Sequence, residues 1–246
     1  MDEEDAYLRE SYDKQPVREI AAAIGRTEVA IWIRANKLGL KALHRTGINS
    51  LVKGYFKTVD TPVKAYLLGL LTADGWISPK NQVGLALGGK DRELVELLRD
   101  ELVPGARIGH YKTREGRPMA RVLITSADLA TDLAKHGMVP AKTLITFWPP
   151  GLPSHLENSY ICGYFDGDGS LDPRWVYRWT IVGGNEPFLV TMQDKIEVGC
   201  GVRPGGPYRD KRHKHAWSIV TTGKPVRVID TWLHQDVPGL ARKRLP

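Results

Sequence analysis

Residues 66–75 read Tyr66-Leu67-Leu68-Gly69-Leu70-Leu71-Thr72-Ala73-Asp74-Gly75, and the pattern returns 94 positions later as Tyr160-Ile161-Cys162-Gly163-Tyr164-Phe165-Asp166-Gly167-Asp168-Gly169. Each copy is an apolar run with a small residue at every fourth place, Gly69 and Ala73 in one, Gly163 and Gly167 in the other. On a helix, positions i and i+4 share a face. Each copy therefore carries a stripe almost bare of side chains, along which another backbone can approach closely. The natural partner for each stripe is the other. If the two helices pack this way and run in the same direction, Asp74 and Asp168 arrive side by side at their last turns.

Two carboxylates at close range raise each other's pKa and work against the fold. A divalent cation removes that cost. The carboxyl ends of both helices add roughly half an elementary negative charge each at the same spot. Hard oxygen ligands suit Mg²⁺ or a similar ion such as Mn²⁺ or Ca²⁺, and Mg²⁺ keeps several waters for chemistry. The pattern predicts a metal-dependent phosphodiester hydrolase built on an internal duplication, with Asp74 and Asp168 as metal ligands.

The two stretches 67–75 and 161–169 resemble the paired signature motifs of single-chain LAGLIDADG homing endonucleases. In that family the eighth motif residue is the metal-binding catalytic acid, which the resemblance carries here to Asp74 and Asp168. The sixth is Thr72 in one copy and Asp166 in the other, a mild departure. The resemblance implies an α+β fold of two αββαββα-type repeats related by a pseudo-twofold axis, forming a saddle for duplex DNA.

Other readings of these segments meet specific obstacles. Asp-Gly after an apolar helix is a common helix stop, since Gly tolerates the left-handed conformation there, but two matched copies exceed what a stop requires. An EF-hand begun at Asp166 needs Gly sixth and Glu twelfth, where this chain has Leu171 and Tyr177. A membrane span needs about 20 apolar residues, and these runs cover roughly half of that. Gly84 to Lys90 imitates part of a phosphate-binding loop, but Asp91 stands where the Mg²⁺-holding Ser or Thr belongs, so no nucleotide cofactor is expected.

At 246 residues the chain suffices for one large core and a small appendage. Its 42% hydrophobic and 26% charged residues are ordinary for a globular protein. The two cysteines, Cys162 and Cys200, suggest neither a zinc site nor a disulfide framework. The acidic start, Met1 to Asp5, resembles neither a secretory signal nor a transit peptide, and an intracellular location at DNA is expected. Net charge is +7. Residues 1–46 hold eight acidic and eight basic residues, so the excess falls in 47–246. The duplicated part carries the positive field expected of a partner to a polyanion.

Residues 3–14, 17–24 and 28–38 read as helices, with a Gly25-Arg26-Thr27 turn before the third and Thr27 as its N-cap. This spacing fits a helix-turn-helix unit, a small all-α domain over 1–46. Arg26, Arg34 and Lys37 gather at the third helix while acids load the first, a polarity expected of a recognition helix on DNA. Residues 47–60 lack periodicity and are expected to be a linker. The first repeat then covers 61–150 and the second 151–246.

The duplication extends past the motifs. Strands over 82–87 and 177–182 lead into Gly88-Gly89 and Gly183-Gly184, 95 positions apart. Helices over 91–102 and 186–198 follow, then basic hairpins ending in strands 120–125 and 217–221, then helices 127–136 and 224–234. The hairpins supply the expected DNA contacts: Lys112, Arg114, Arg117 and Arg121 in the first half, and Arg209, Lys211, Arg212, His213, Lys214 and His215 in the second. Trp175, Tyr177 and Trp179 either line the groove or fill the core.

The family also keeps basic residues near the attacking water. The segments 138–143 and 239–244 correspond between halves, which makes Lys142 and Lys243 the candidates; His44 and His136 lack counterparts and are set aside. The resemblance implies a monomer cutting both strands of a long pseudo-symmetric duplex site. The alternative from another class is a DNA-binding regulator or RNA-splicing helper that keeps the fold without cleavage.

Overall fold

A computed structural model of the chain describes residues 3–12, 15, 17–40, 51–173, 177–211, 213, 215–237 and 239–246. Arg212, Lys214 and Trp175, which figure in the expectations above, lie outside the described residues, as does His44.

Three short helices open the chain: α1 (Glu3–Ser11), α2 (Val17–Ala23) and α3 (Glu28–Lys37). They enclose their own small core of Leu8, Tyr12, Ile20, Ala21, Ile31 and Ala35. The Thr27 hydroxyl caps α3 by accepting from the Ala30 amide at 3.2 Å, satisfying one of the amides a helix start leaves over. Residues 51–60, inside the expected linker, are anchored in the main core. Tyr55, Phe56 and Val59 are buried there, and the Tyr55 hydroxyl donates to Glu101 at 2.6 Å. This segment is irregular yet apolar at its anchor points, which periodicity does not register.

The first motif forms α4 (Pro62–Asp74), started by the Thr61 hydroxyl and by Pro62 in the first turn, where a missing N–H costs nothing. The second forms α7 (Glu157–Asp168). Between them lie β1 (Trp76–Ile77), β2 (Gln82–Gly88), α5 (Arg92–Leu102), β3 (Gly109–Lys112), β4 (Pro118–Thr125) and α6 (Ala127–Lys135). After α7 come β5 (Gly169–Asp172), β6 (Arg178–Gly183), α8 (Glu186–Cys200), β7 (Gly205–Arg209), β8 (Trp217–Thr222) and α9 (Pro225–Leu233). The two halves repeat the same order of elements.

Each half builds one antiparallel four-stranded sheet with the same topology, β1-β2-β4-β3 and β5-β6-β8-β7. Alternation then sorts residues between faces. Val83, Leu85, Val122 and Ile124 point into the core of the first half, and Trp179, Ile181 and Ile219 into that of the second. Trp179 is thus a core residue, its ring stacked on Phe165 of α7 at 5.3 Å. No helix among the described residues is long and apolar enough to cross a membrane.

Gly75 and Gly169, which end the motif helices, do not adopt the left-handed conformation of a helix stop. Their φ values of −77° and −103° are open to any residue. What excludes a side chain is space: a methyl at Gly75 would stand 2.6 Å from the Leu71 carbonyl oxygen, and one at Gly169 would meet the Phe165 backbone and ring.

Candidate metal centre and nucleic-acid interface

The helices α4 and α7 lie against each other through their small residues. A methyl at Gly69 would overlap the Tyr160 carbonyl oxygen, and one at Gly163 would overlap the Tyr66 carbonyl oxygen. Further along, Gly167 faces Ala73 and Asp74. Partners therefore advance together along both helices, so the pair is parallel and backbone touches backbone. A methyl placed on Gly167 would sit 3.1 Å from Asp74 Oδ2. The same contact that joins the helices brings Asp74 to the end of α7, where Asp168 is the last residue.

The electrostatics follow from that juxtaposition. Burial pushes the Asp74 carboxyl above its usual range, and the nearby ammonium groups of Lys243 and Lys142 pull it back in part. Asp168 is pushed up to about 6, first by desolvation and then by the charge of Asp74, with both lysines and the Tyr164 hydroxyl opposing. Asp168 itself is exposed and Asp74 half-buried, so both remain within reach of solvent.

Lys142 and Lys243 occupy equivalent places. Lys142 Nζ donates to the carbonyls of Ala73 at 3.1 Å and Gly75 at 2.6 Å, at the end of α4. Lys243 Nζ donates to those of Phe165, Asp166 and Gly169 at 2.9, 2.7 and 2.7 Å, and more distantly to Gly167 at 3.4 Å, at the end of α7. Each ammonium plugs the negative end of its own half's motif helix, the favoured place for a cation. Lys243 is only 5% exposed, and burial lowers the pKa of both.

The remaining donor set is spare. Among the described residues no three His, Cys, Asp or Glu side chains gather as a metal cage. Two carboxylates open to solvent suit a hard cation that keeps most of its water, and a third protein ligand is not needed for that fit.

Asp166 serves differently. Its Oδ2 accepts from the Tyr66 hydroxyl at 2.6 Å and the Leu240 amide at 2.8 Å, all buried. In the first motif the corresponding residue is Thr72, whose hydroxyl donates back to the Leu68 carbonyl at 2.7 Å.

Strand parity sorts the basic residues. Arg121 lies on the face of the first sheet away from the core, paired across from Gly109, with its guanidinium over the Tyr111 ring at 5.1 Å. Lys112, Arg114 and Arg117 are exposed around a turn in which the Thr113 and Arg117 backbones pair. In the second half Lys211, His213 and His215 are exposed beyond β7. Arg209 differs from Arg121: it pairs with Trp217, in the row that faces the helices, and lies 5.9 Å from that ring. Sequence reading passed over the residues that alternation places on the open faces, notably Trp76, Tyr111 and Leu123 in one sheet and Arg178, Val182 and Tyr208 in the other. The alternation of buried Trp179 and Ile181 is the signal that turns Arg178 outward.

Two arginines expected to meet DNA at α3 also pair with acids of the first helix. Arg34 forms a two-pronged pair with Asp5 of α1, both contacts 2.7 Å, and Arg26 reaches Glu4 at 3.0 Å. Opposite charges on the first and third helices thus pair across the three-helix unit. Lys37 is exposed.

The two-sheet, paired-helix arrangement is matched among solved structures. Mesophilic variants of the homing endonuclease I-DmoI superpose with a TM-score of 0.51 at 20% identity, over 75% of this chain and 98% of theirs. The homing endonuclease I-WcaI, bound to its DNA recognition sequence, gives 0.53 at 13% identity over 77% and 88%. The fold is the LAGLIDADG fold. Full-length DUF199/WhiA from Thermatoga maritima gives 0.51 at 18% identity, over 78% of this chain and 63% of that one. At these identities the likeness is one of fold. No protein-family model matches the sequence, and no curated protein matches it. The LAGLIDADG fold accounts for the duplicated order of elements, the parallel helix pair and the two like sheets.

Proposed function

We propose that this chain is a site-specific double-strand DNA endonuclease that carries both LAGLIDADG motifs in one polypeptide and acts as a monomer. The observation that carries the reading is the carboxylate pair. The glycine-lined contact between the motif helices supports it, as does the Asp168 carboxyl, raised first by desolvation and then by the charge of Asp74. A divalent cation relieves such repulsion at neutral pH, where a shared proton would be lost.

In this reading Asp74 and Asp168 hold a divalent cation, Mg²⁺ or Mn²⁺, with Ca²⁺ able to take the same place. When bound, the ion would lower the pKa of a water so that hydroxide is available to attack phosphorus, and would stabilise the leaving oxygen. The protein's own part is positional. Lys142 and Lys243 fix the two helix ends and keep the centre from carrying excess negative charge beside the phosphates. The two sheet faces lie along the major groove, which admits a β-ribbon, with Arg121, Arg178, Tyr111 and Tyr208 towards the bases. The hairpin ends, with Lys112, Arg114, Arg117 and Lys211, neutralise phosphates. Residues 1–46 act as a helix-turn-helix unit that lengthens the site, presenting Lys37 and the exposed Val29 and Ile33 of α3.

The alternative is a DNA-binding regulator on the same fold. Retention of both acids in a costly pairing favours the nuclease. Selection of cleaved duplexes from a random library in Mg²⁺ tests it: the nuclease reading expects a single long site cut on both strands. A uniquely bound but uncut sequence would support the regulator.

A further inference from the structure

The two open sheet faces differ, and most of all beside the motif acids. In the first sheet Trp76, two residues after Asp74, pairs with Gly84, which pairs in turn with Leu123. They form one row across β1, β2 and β4 on the face turned from the core, since Val83, Leu85, Val122 and Ile124 fill the other face. The equivalent row of the second sheet also begins two residues after its motif acid and reads Ser170, Thr180 and Val220. The first row is apolar throughout, and the second carries two hydroxyls.

Gly84 sets the shape of the first row. A methyl there would overlap the Trp76 ring, so the indole lies over the bare backbone of β2. Trp76 is still 37% exposed and Leu123 38%. The two make a shallow platform open to solvent, which Ala86 and Met119 of the next rows continue, both partly covered. Cations border it: Arg121 lies on the same face, and Lys112, Arg114 and Arg117 stand exposed at the hairpin turn of the same sheet. An apolar floor with a cationic rim suits a ligand that is anionic at its edges and apolar within. The major groove has that form, with phosphates along both sides and the thymine methyl as the apolar group on its floor.

We propose, resting on the nuclease reading above and deepening it, that Trp76 and Leu123 are specificity-determining residues that read thymine methyl groups in one half-site. The two half-sites then differ in chemistry although the protein repeats itself. In the first, the base pairs nearest the acids carry thymine and are read by apolar contact. In the second, Ser170 and Thr180 stand at the same distance from their acid. Each hydroxyl can donate and accept, so that half-site is read there by hydrogen bonding.

The test uses the duplex that the full chain selects from a random library, with binding followed by fluorescence anisotropy in a chelator so that nothing is cut. Deoxyuridine replaces thymidine in one half-site at a time, which removes methyl groups and leaves base pairing intact. One half-site should lose affinity roughly fourfold per methyl removed at its inner end, the worth of one buried methylene, and the other should change little. Leu123→Ala, a truncation at an exposed side chain, should weaken binding of the unmodified duplex and shrink the deoxyuridine penalty. Trp76→Ala, checked for folding by its melting curve, should do the same. A penalty that is absent, equal in the two half-sites, or unchanged by Leu123→Ala overturns the proposal, while cleavage of the unmodified duplex in Mg²⁺ keeps the nuclease. A chain that selects no duplex overturns both. Sedimentation tests the other occupant of an apolar face: a monomer is expected, and a native dimer that Leu123→Ala makes monomeric would put a second copy on the platform and overturn the proposal.

Discussion

The Tyr66 hydroxyl of α4 donates to Asp166 Oδ2 of α7 at 2.6 Å, binding the motif helices through groups 100 positions apart in sequence. The same oxygen accepts from the Leu240 amide at 2.8 Å, so one buried carboxylate joins both motif helices and the closing segment of the chain. Replacing Tyr66 by Phe removes a charge-assisted bond from a site closed to water. A loss of about 1–3 kcal/mol in unfolding free energy is expected, read from urea denaturation with an unchanged m-value.

The helix contact itself is less forgiving. Ala at Gly69 or Gly163 sets a methyl against a carbonyl oxygen of the opposite helix, and backbone cannot rotate aside as a side chain can. Each substitution should cost about 3 kcal/mol or more, at or above the upper end of ordinary overpacking. Chemical denaturation of the two variants checks this, and similar losses at both positions are expected from the shared geometry.

The parts of this architecture written in local pattern were legible in the sequence. The stripes at Gly69, Ala73, Gly163 and Gly167 announced the parallel helix pair, and the spacing of Gly88-Gly89 and Gly183-Gly184 announced the repeat. What depended on distant partners was hidden. Arg34 reads as a free basic residue until Asp5, 29 positions earlier, is found against it. Lys243 is a candidate by its place in the repeat, but the four carbonyls that surround it come from a helix end more than 70 positions earlier and leave no local mark. The outward set of Arg178 and Tyr208 waited on strand register, since a shift of one residue exchanges the faces.

The lysines should separate by burial. Lys243→Met leaves several helix-end carbonyls without their donor, and roughly 3 kcal/mol of stability should be lost. Lys142→Met, which frees two carbonyls in a more open place, should cost less. Thermal unfolding of both variants without metal gives the order. Lys243→Arg should not restore stability, because a planar guanidinium cannot converge on these carbonyls as an ammonium does.

The acids give a pH signature in the metal-free protein. The folded-state pKa of Asp168 is raised from 3.8 to about 6, so between those values the folded chain binds more proton than the unfolded one. By linkage, this group's contribution makes stability fall as pH rises from about 4 to 6. Asp168→Asn should flatten that slope and raise the melting temperature at pH 7 in a chelator. Added Mg²⁺ should stabilise the native chain most above pH 6, where the ion no longer competes with a proton, and should do less for the variant. Melting curves across pH, with and without Mg²⁺, supply the check.

The shared cation between Asp74 and Asp168 is tested most directly by giving Asp74→Asn and Asp168→Asn the selected duplex in Mg²⁺, with binding and cleavage of each strand measured separately. The account predicts that both variants bind the duplex as the native chain does and that neither makes the double-strand cut. Either variant cutting both strands at the native rate would contradict it.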